Sequence, residues 1–321
     1  MTGGSAMSIL MNNHIHTYML GRLSITLPEF MQPQVEKFSY TWDSRTQNNK
    51  SHYLGYPLSL QEQPYTNRNH AEAEWKTAIE NCRNDAFSMM FEMFEWDVSS
   101  LFRVPAHFIC FKGDGATYHF YIIIRESQCL LHIVGRKSYR YPAKPEKDAL
   151  TEEILQILSG FYKKYRQGHD IHSGNVFYTY YGEIIDSTFN TNELMSIKFS
   201  NAEKSLIWGM NTSINFSGET ENDLRNWMNR VGEAGFSRSR MRDILNFPGK
   251  GYETLEKNKN TSVCFLELDY AGMYLDSHIP SFHIFATKDP SIDMDTFLEL
   301  WEAVISNIRP LQQKNFRSSK I

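Results

Sequence analysis

AHFICFKGDGATYHFYIIIRESQCLLHIV, residues 106–134, decides the fold. Three runs of aromatic and β-branched residues, Ala106–Phe111, Thr117–Arg125 and Cys129–Val134, follow one another, the first pair broken by the turn Lys112-Gly113-Asp114-Gly115. Connections this short join antiparallel neighbours, because a parallel crossover needs a dozen or more residues. A helix pattern comes next: Ile154, Ile157, Leu158, Phe161 and Tyr165 recur at three and four residues, with Glu152 and Glu153 in the first turn and Lys163, Lys164 and Arg166 in the last, before Gly168.

The same order returns downstream. Strand patterns over Ser262–Asp269 and Ser281–Thr287, broken around Ala271-Gly272 and Ile279-Pro280, precede a helix pattern of Phe297, Leu300, Trp301, Val304 and Ile308 that ends at Arg309-Pro310. Asp293 and Asp295 stand where that helix wants N-terminal acceptors, and read as caps before they read as a catalytic carboxylate pair. Further upstream each half has a Trp-centred helix, Ala71, Trp75, Ala78, Ile79 and Cys82 in one and Leu224, Trp227, Met228 and Val231 in the other. Each half also opens with strands, Tyr18–Leu27 with Lys37–Trp42 and Asn175–Tyr181 with Leu194–Phe199. The expectation is an α+β fold of two similar domains, 14–167 and 168–312, each an antiparallel sheet with helices packed on one face, parting in Gln167-Gly168-His169-Asp170.

The 321 residues suit two domains, and 41% hydrophobic against 22% charged residues excludes a disordered chain. With 33 basic and 37 acidic residues, the net charge of −4 gives none of the basic excess that nucleic acid or an anionic membrane calls for. The strongest apolar run, Phe120–Ile124, falls far short of the 18 or so residues of a membrane span. Cys82, Cys110, Cys129 and Cys264 include no C-x-x-C pair; they read as buried small hydrophobes, with one disulfide open to an exported chain. The opening Met1-Thr2-Gly3-Gly4-Ser5-Ala6 before Met7 reads as an expression leader, so a removed export signal is an open alternative to a native, cytoplasmic start.

The common catalytic signatures are absent: no G-x-S-x-G, H-E-x-x-H, Walker loop or G-x-G-x-x-G. Phe247-Pro248-Gly249-Lys250-Gly251-Tyr252 lacks the Ser or Thr of a phosphate loop and reads as a surface turn. His14 and His16 share a strand face without a third ligand nearby, and His169, Asp170 and His172 are the one cluster that could position a base or metal. Phe87, Met89, Met90, Phe91, Met93, Phe94 and Trp96 read as a buried helix or as a soft apolar surface for a partner. Arg238, Arg240 and Arg242 make a basic arm or a solvated loop.

Three segments carry a resemblance: Gly21-Arg22-Leu23-Ser24-Ile25-Thr26-Leu27-Pro28, the run Gly174-Asn175-Val176-Phe177 leading to Glu183, and Leu300-Trp301-Glu302-Ala303-Val304-Ile305-Ser306-Asn307-Ile308-Arg309-Pro310. Over roughly residues 14 to 312 the chain resembles the two-domain immunity proteins that neutralise type VI secretion lipase effectors. The resemblance implies a non-enzymatic inhibitor without cofactor or metal. Its two domains would act as a claw on a cognate phospholipase effector, in a heterodimer, in the periplasm. A secretion chaperone that carries an effector without inhibiting it is the alternative, and an enzyme built on His169, Asp170 and His172 the third reading. Tyr, Trp and Arg dominate interface hot spots, so the partner contacts are expected at Tyr53, Tyr56, Tyr65, Trp96, Arg238, Arg240 and Tyr252, in or beside predicted loops.

Overall fold

The structure, a computed structural model, describes residues 15–34, 39–43, 58–65, 71–88, 93–112, 117–138, 147–169, 176–185, 192–213, 220, 222–224, 238–257, 263–273, 276 and 278–311. They fall into two compact units that interleave along the chain. A terminal unit draws on residues 1–38, 177–180 and 194–321, and a middle unit on 39–176 and 181–193.

The terminal unit opens with β1 (Ile15–Leu20) and β2 (Leu23–Pro28), paired as a hairpin, and β3 (Gln32–Pro33). The sequence pattern suggests one strand over Tyr18–Leu27; the chain instead reverses at Gly21-Arg22. Gly21 takes φ 60°, the left-handed region that glycine enters without a Cβ penalty. Its N–H and C=O pair with Tyr178 at 2.7 and 2.9 Å, which fixes the turn against the later chain.

In the middle unit β4 (Ser39–Asp43), β5 (Leu58–Pro64), β6 (Met93–Asp97), β7 (Ala106–Lys112), β8 (Thr117–Arg125) and β9 (Cys129–Ser138) form an antiparallel sheet in the order β4-β5-β9-β8-β7-β6. Helices α1 (Ala71–Ser88), α2 (Ser99–Phe102) and α3 (Lys147–Tyr162) accompany it. Ile109, Phe111, Ile123 and Leu130 pack on Ala78, Ile79 and Cys82 of α1. Phe108, Phe120 and Ile122 point the opposite way and are fully buried too. On that second face Trp96 stacks on Phe108 at 5.9 Å and borders α3. Helices therefore cover both faces, a correction to the one-face expectation, and burial on both sides explains the unbroken apolar run in β8. β10 (Tyr165–Gln167) pairs with β12 (Gly182–Ile185), and β11 (Val176–Tyr178) lies between them in sequence.

The terminal sheet comprises β13 (Asn192–Ser200), β14 (Leu206–Ser213), β15 (Arg238–Asp243), β16 (Lys250–Lys257), β17 (Cys264–Tyr270) and β18 (Ser281–Lys288), in the order β13-β14-β18-β17-β16-β15. This is the strand order of the middle sheet, so one topology occurs twice. Strict alternation along β17 and β18 sends Leu266, Leu268, Ile284 and Ala286 into the core. Over them lies α4 (Met294–Ile305), whose N-cap Asp293 accepts from Thr296 N–H at 3.0 Å. Phe297, Leu300 and Val304 of its apolar stripe are buried, worth roughly 1.5–3 kcal/mol each, and Trp301 meets Trp208 at 5.2 Å between ring centres. The last strand, β19 (Arg309–Pro310), pairs with β2 through Arg309 and Ser24.

That pairing gives the opening hairpin to the terminal unit, and the compact units do not part at Gly168. Gly168 lies within the middle unit at φ 93°, its N–H on the Tyr181 carbonyl at 2.8 Å. Of the second Trp-centred helix, Trp227, Met228 and Val231 lie outside the described residues. The Met- and Phe-rich stretch divides between the end of α1 and strand β6; Met89, Met90 and Phe91 lie outside the described residues. All four cysteines are buried free thiols.

Candidate partner-binding groove

Among the described residues, no group of three His, Cys, Asp or Glu side chains could hold a metal, and His14, Asp170 and His172 lie outside those residues. Tyr53 and Tyr56 lie outside them as well, as does the side chain of Arg238. The other contacts expected from the sequence fall in three separate places.

Arg240 and Arg242 sit on β15, a strand and not an arm or loop, and their charges are engaged. Glu253 accepts from Arg240 Nε and from Arg242 Nη1, each at 2.6 Å, and Glu302 of α4 accepts from Arg240 Nη2 at 2.8 Å and Arg242 Nη2 at 2.7 Å. Burial alone would raise the Glu253 pKa, yet hydrogen bonds from Arg240, Trp301 and Arg242 hold it below its ordinary value. This is a structural clamp joining α4 to the sheet. Tyr252, on β16 and not in a turn, is 7% exposed and has little surface to present. Tyr65 packs against the α1 core cluster; burial pushes its phenol up to about 12, and its hydroxyl has no hydrogen-bond partner among the described residues.

Trp96 is placed differently. Its neighbour Glu95 is gripped from the α1 side by Arg83, whose Nε donates to both carboxylate oxygens at 3.0 Å, and this holds the Glu95 carboxyl below the usual range. Because strand residues alternate, Trp96 then points to the opposite face. Next to it α2 is pinned: Asp97 Oδ1 accepts from Ser99 N–H at 2.8 Å, Ser99 Oγ accepts from Ala106 N–H at 3.0 Å, and Arg103 closes the turn at φ 61°. Phe102 goes inward against Tyr162, with ring centres 5.4 Å apart, which leaves Leu101 outward and 47% exposed.

Facing these two residues is α3. Leu150, Ile154, Leu158 and Phe161 form its buried stripe. A second stripe, Thr151, Leu155 and Ser159 beside Glu152, Gln156, Gly160 and Lys163, bounds with Trp96 and Leu101 a groove of about 570 Å³. Three apolar side chains, Trp96, Leu101 and Leu155, line it beside Thr151, Gln156, Ser159 and Gly160, and its ends are charged. The sequence signalled Trp96 but not Leu101 or Leu155, because Leu155 stands off the core stripe and Leu101 sits in a helix too short to show a period.

No protein-family model matches the chain, and no curated protein sequence matches it. Solved structures do. The apo structure of immunity protein TplEi of T6SS from Pseudomonas aeruginosa matches with a TM-score of 0.63 at 12% identity, over 94% of this chain and 99% of that one. The two chains share one fold. TplEi complexed with "L" peptide matches at TM-score 0.60 and 13% identity over 93% and 99%, and a chain of the Tle4–Tli4 complex at 0.62 and 13% over 94% and 98%. The fold extends through both units, and the family resembled by the sequence is the one whose structures share it.

Proposed function

We propose that this protein is an immunity protein that binds a cognate type VI secretion phospholipase effector and inhibits it, protecting the producing bacterium. The observation that carries this reading is the end-to-end likeness to TplEi, over 94% of this chain and 99% of that one, joined to a sequence resemblance read independently from both ends of the chain. A match of both units, and not of one module, is what a protein working as a two-part grip requires. In this reading the units act as the two arms of a claw, the protein is a binder without catalytic turnover, and it works in the periplasm where the effector meets membrane. Among the described residues no helix is long and apolar enough to cross a membrane.

The test is a phospholipase assay of the lipase encoded beside the gene, with and without an equimolar amount of this protein, paired with size-exclusion chromatography. Co-elution with lost activity is the expected result. Co-elution with activity intact makes the protein a chaperone, and separate elution overturns the reading.

A further inference from the structure

The groove between β6, α2 and α3 has a polarity that selects its occupant. Glu152 stands at the end nearer the N-terminus of α3 and Lys163 just past its C-terminus, about 16 Å apart at 1.5 Å per residue. Between them run Leu155 on one side and Trp96 and Leu101 on the other. Ser159 and Gly160 leave the middle low: a Cβ added at Gly160 would meet nothing within 4 Å. On the rim Leu101 is 47% exposed. An open trough with an apolar side of Trp96, Leu101 and Leu155 suits a protein segment better than an enclosed small molecule.

We propose that this groove receives an amphipathic helix of the effector, laid antiparallel to α3. The inference rests on the immunity reading and deepens it. The charges give the direction. A helix favours acidic residues in its first turn and basic residues in its last, as its dipole dictates. Laid antiparallel, such a helix brings its basic end to Glu152 and its acidic end to Lys163, while its apolar face meets Leu155, Leu101 and Trp96. Laid parallel, it sets like charges together at both ends. Trp96 is the aromatic anchor, held by the stack on Phe108 and by the Arg83 grip on the adjoining Glu95.

The test measures binding of the purified cognate lipase to the wild-type protein and to three variants by titration calorimetry. Near-UV circular dichroism and melting temperature check each fold. Gly160→Trp brings an indole into the trough from a position where an added Cβ meets nothing within 4 Å, and is expected to weaken binding at least tenfold. Lys163→Glu reverses one end and is expected to weaken it three- to tenfold, more at low salt than at high. Leu101→Asp, at a residue already 47% exposed, reports on the same trough without altering α3. Affinity within twofold of wild type in the folded variants overturns the groove proposal while leaving the immunity reading in place. A wild-type protein that binds no lipase overturns the immunity reading itself. A homodimer that Gly160→Trp dissolves, with lipase affinity unchanged, assigns the trough to a second copy and also overturns the proposal.

Discussion

Gly209 of β14 lies opposite Phe285 of β18 in register, and the phenyl ring covers the glycine so closely that a Cβ at position 209 would sit 2.1 Å from the ring Cζ. The middle unit repeats the device: Gly135 of β9 faces Phe120 of β8, and a Cβ there would meet the ring at 2.3 Å. An aromatic ring laid over a cross-strand glycine shields backbone that has no side chain of its own. Alanine is ordinarily about 0.5–1 kcal/mol better than glycine inside a strand, so the sign of the effect is diagnostic. Gly209→Ala and Gly135→Ala are each expected to destabilise by about 1–3 kcal/mol in urea unfolding, the cost of overpacking. Combining Gly209→Ala with Phe285→Ala is expected to recover part of that loss, a non-additivity that a double-mutant cycle measures.

Glu253 is 3% exposed and accepts from two arginines and from Trp301 Nε1 at 2.8 Å. Removing it leaves Arg242, whose side chain is 11% exposed, with Glu302 as its remaining carboxylate and Trp301 Nε1 without its acceptor, so Glu253→Ala is expected to cost roughly 3 kcal/mol with an unchanged m-value. The depressed pKa adds a pH dependence. A carboxylate that holds fewer protons in the folded than in the unfolded state stabilises above its unfolded value of 4.5, and that contribution is lost as pH falls from there through the folded pKa. Melting curves between pH 5 and 3 are expected to fall less steeply for Glu253→Ala than for wild type.

His132 supplies a second acid-sensitive site in a higher window. Burial lowers its pKa from 6.5 to about 4, and Nε2 has no hydrogen-bond partner among the described residues. The unfolded chain binds this proton below pH 6.5 while the folded chain refuses it down to about 4, so stability is full above 6.5 and declines across that interval, by on the order of 3 kcal/mol. His132→Leu is expected to flatten the melting temperature between pH 6.5 and 4.5, measured by calorimetry in one buffer series.

Burial pushes the Cys82 thiol up to about 11 and the Cys110 thiol up to about 12, and Cys129 and Cys264 are equally enclosed. A thiol kept protonated and out of solvent does not attack a disulfide. Native protein is expected to react with none of its four thiols over minutes in an aromatic-disulfide assay at pH 8, and with all four after urea is added. Rapid reaction of any thiol in the native state contradicts the burial described for it.

Much of this was legible. The helices around Ile154–Phe161 and Phe297–Val304 declared themselves by spacing, and the hairpins of residues 106–134 by their short turns, whereas Lys163, Lys164 and Arg166, read as the last turn of the first helix, lie past its end at Tyr162, with Tyr165 and Arg166 in β10. The α+β class and the repeated plan followed from those elements, and the repetition reappears as one strand order in both sheets. What escaped were strands with polar or mixed sequence. Arg238–Asp243 reads as a solvated basic segment because the carboxylates that neutralise it, Glu253 and Glu302, arrive from β16 and α4, distant in sequence. Gly21 was visible as a glycine, but its role as a hairpin corner depends on the bridge to Tyr178, which no local pattern encodes. The groove was half visible: an aromatic at 96 stood out, whereas the trough exists only where Leu101, Leu155 and Gly160 are brought side by side.

The pairing of Ser24 with Arg309 sets the timing of assembly. At about 5–20 residues per second a ribosome delivers β2 tens of seconds before its partner strand β19 exists. The hairpin β1–β2 must wait with an open edge, while the middle unit, encoded almost without interruption, has all six strands of its sheet in hand by residue 138. Order of emergence thus makes the middle unit the early folder and leaves the terminal unit to close last, when the contact that spans nearly the whole chain can form. For a protein whose proposed workplace lies beyond the inner membrane, a middle unit able to fold this early has to be held unfolded until it has crossed, whereas the terminal unit cannot close before β19 is made.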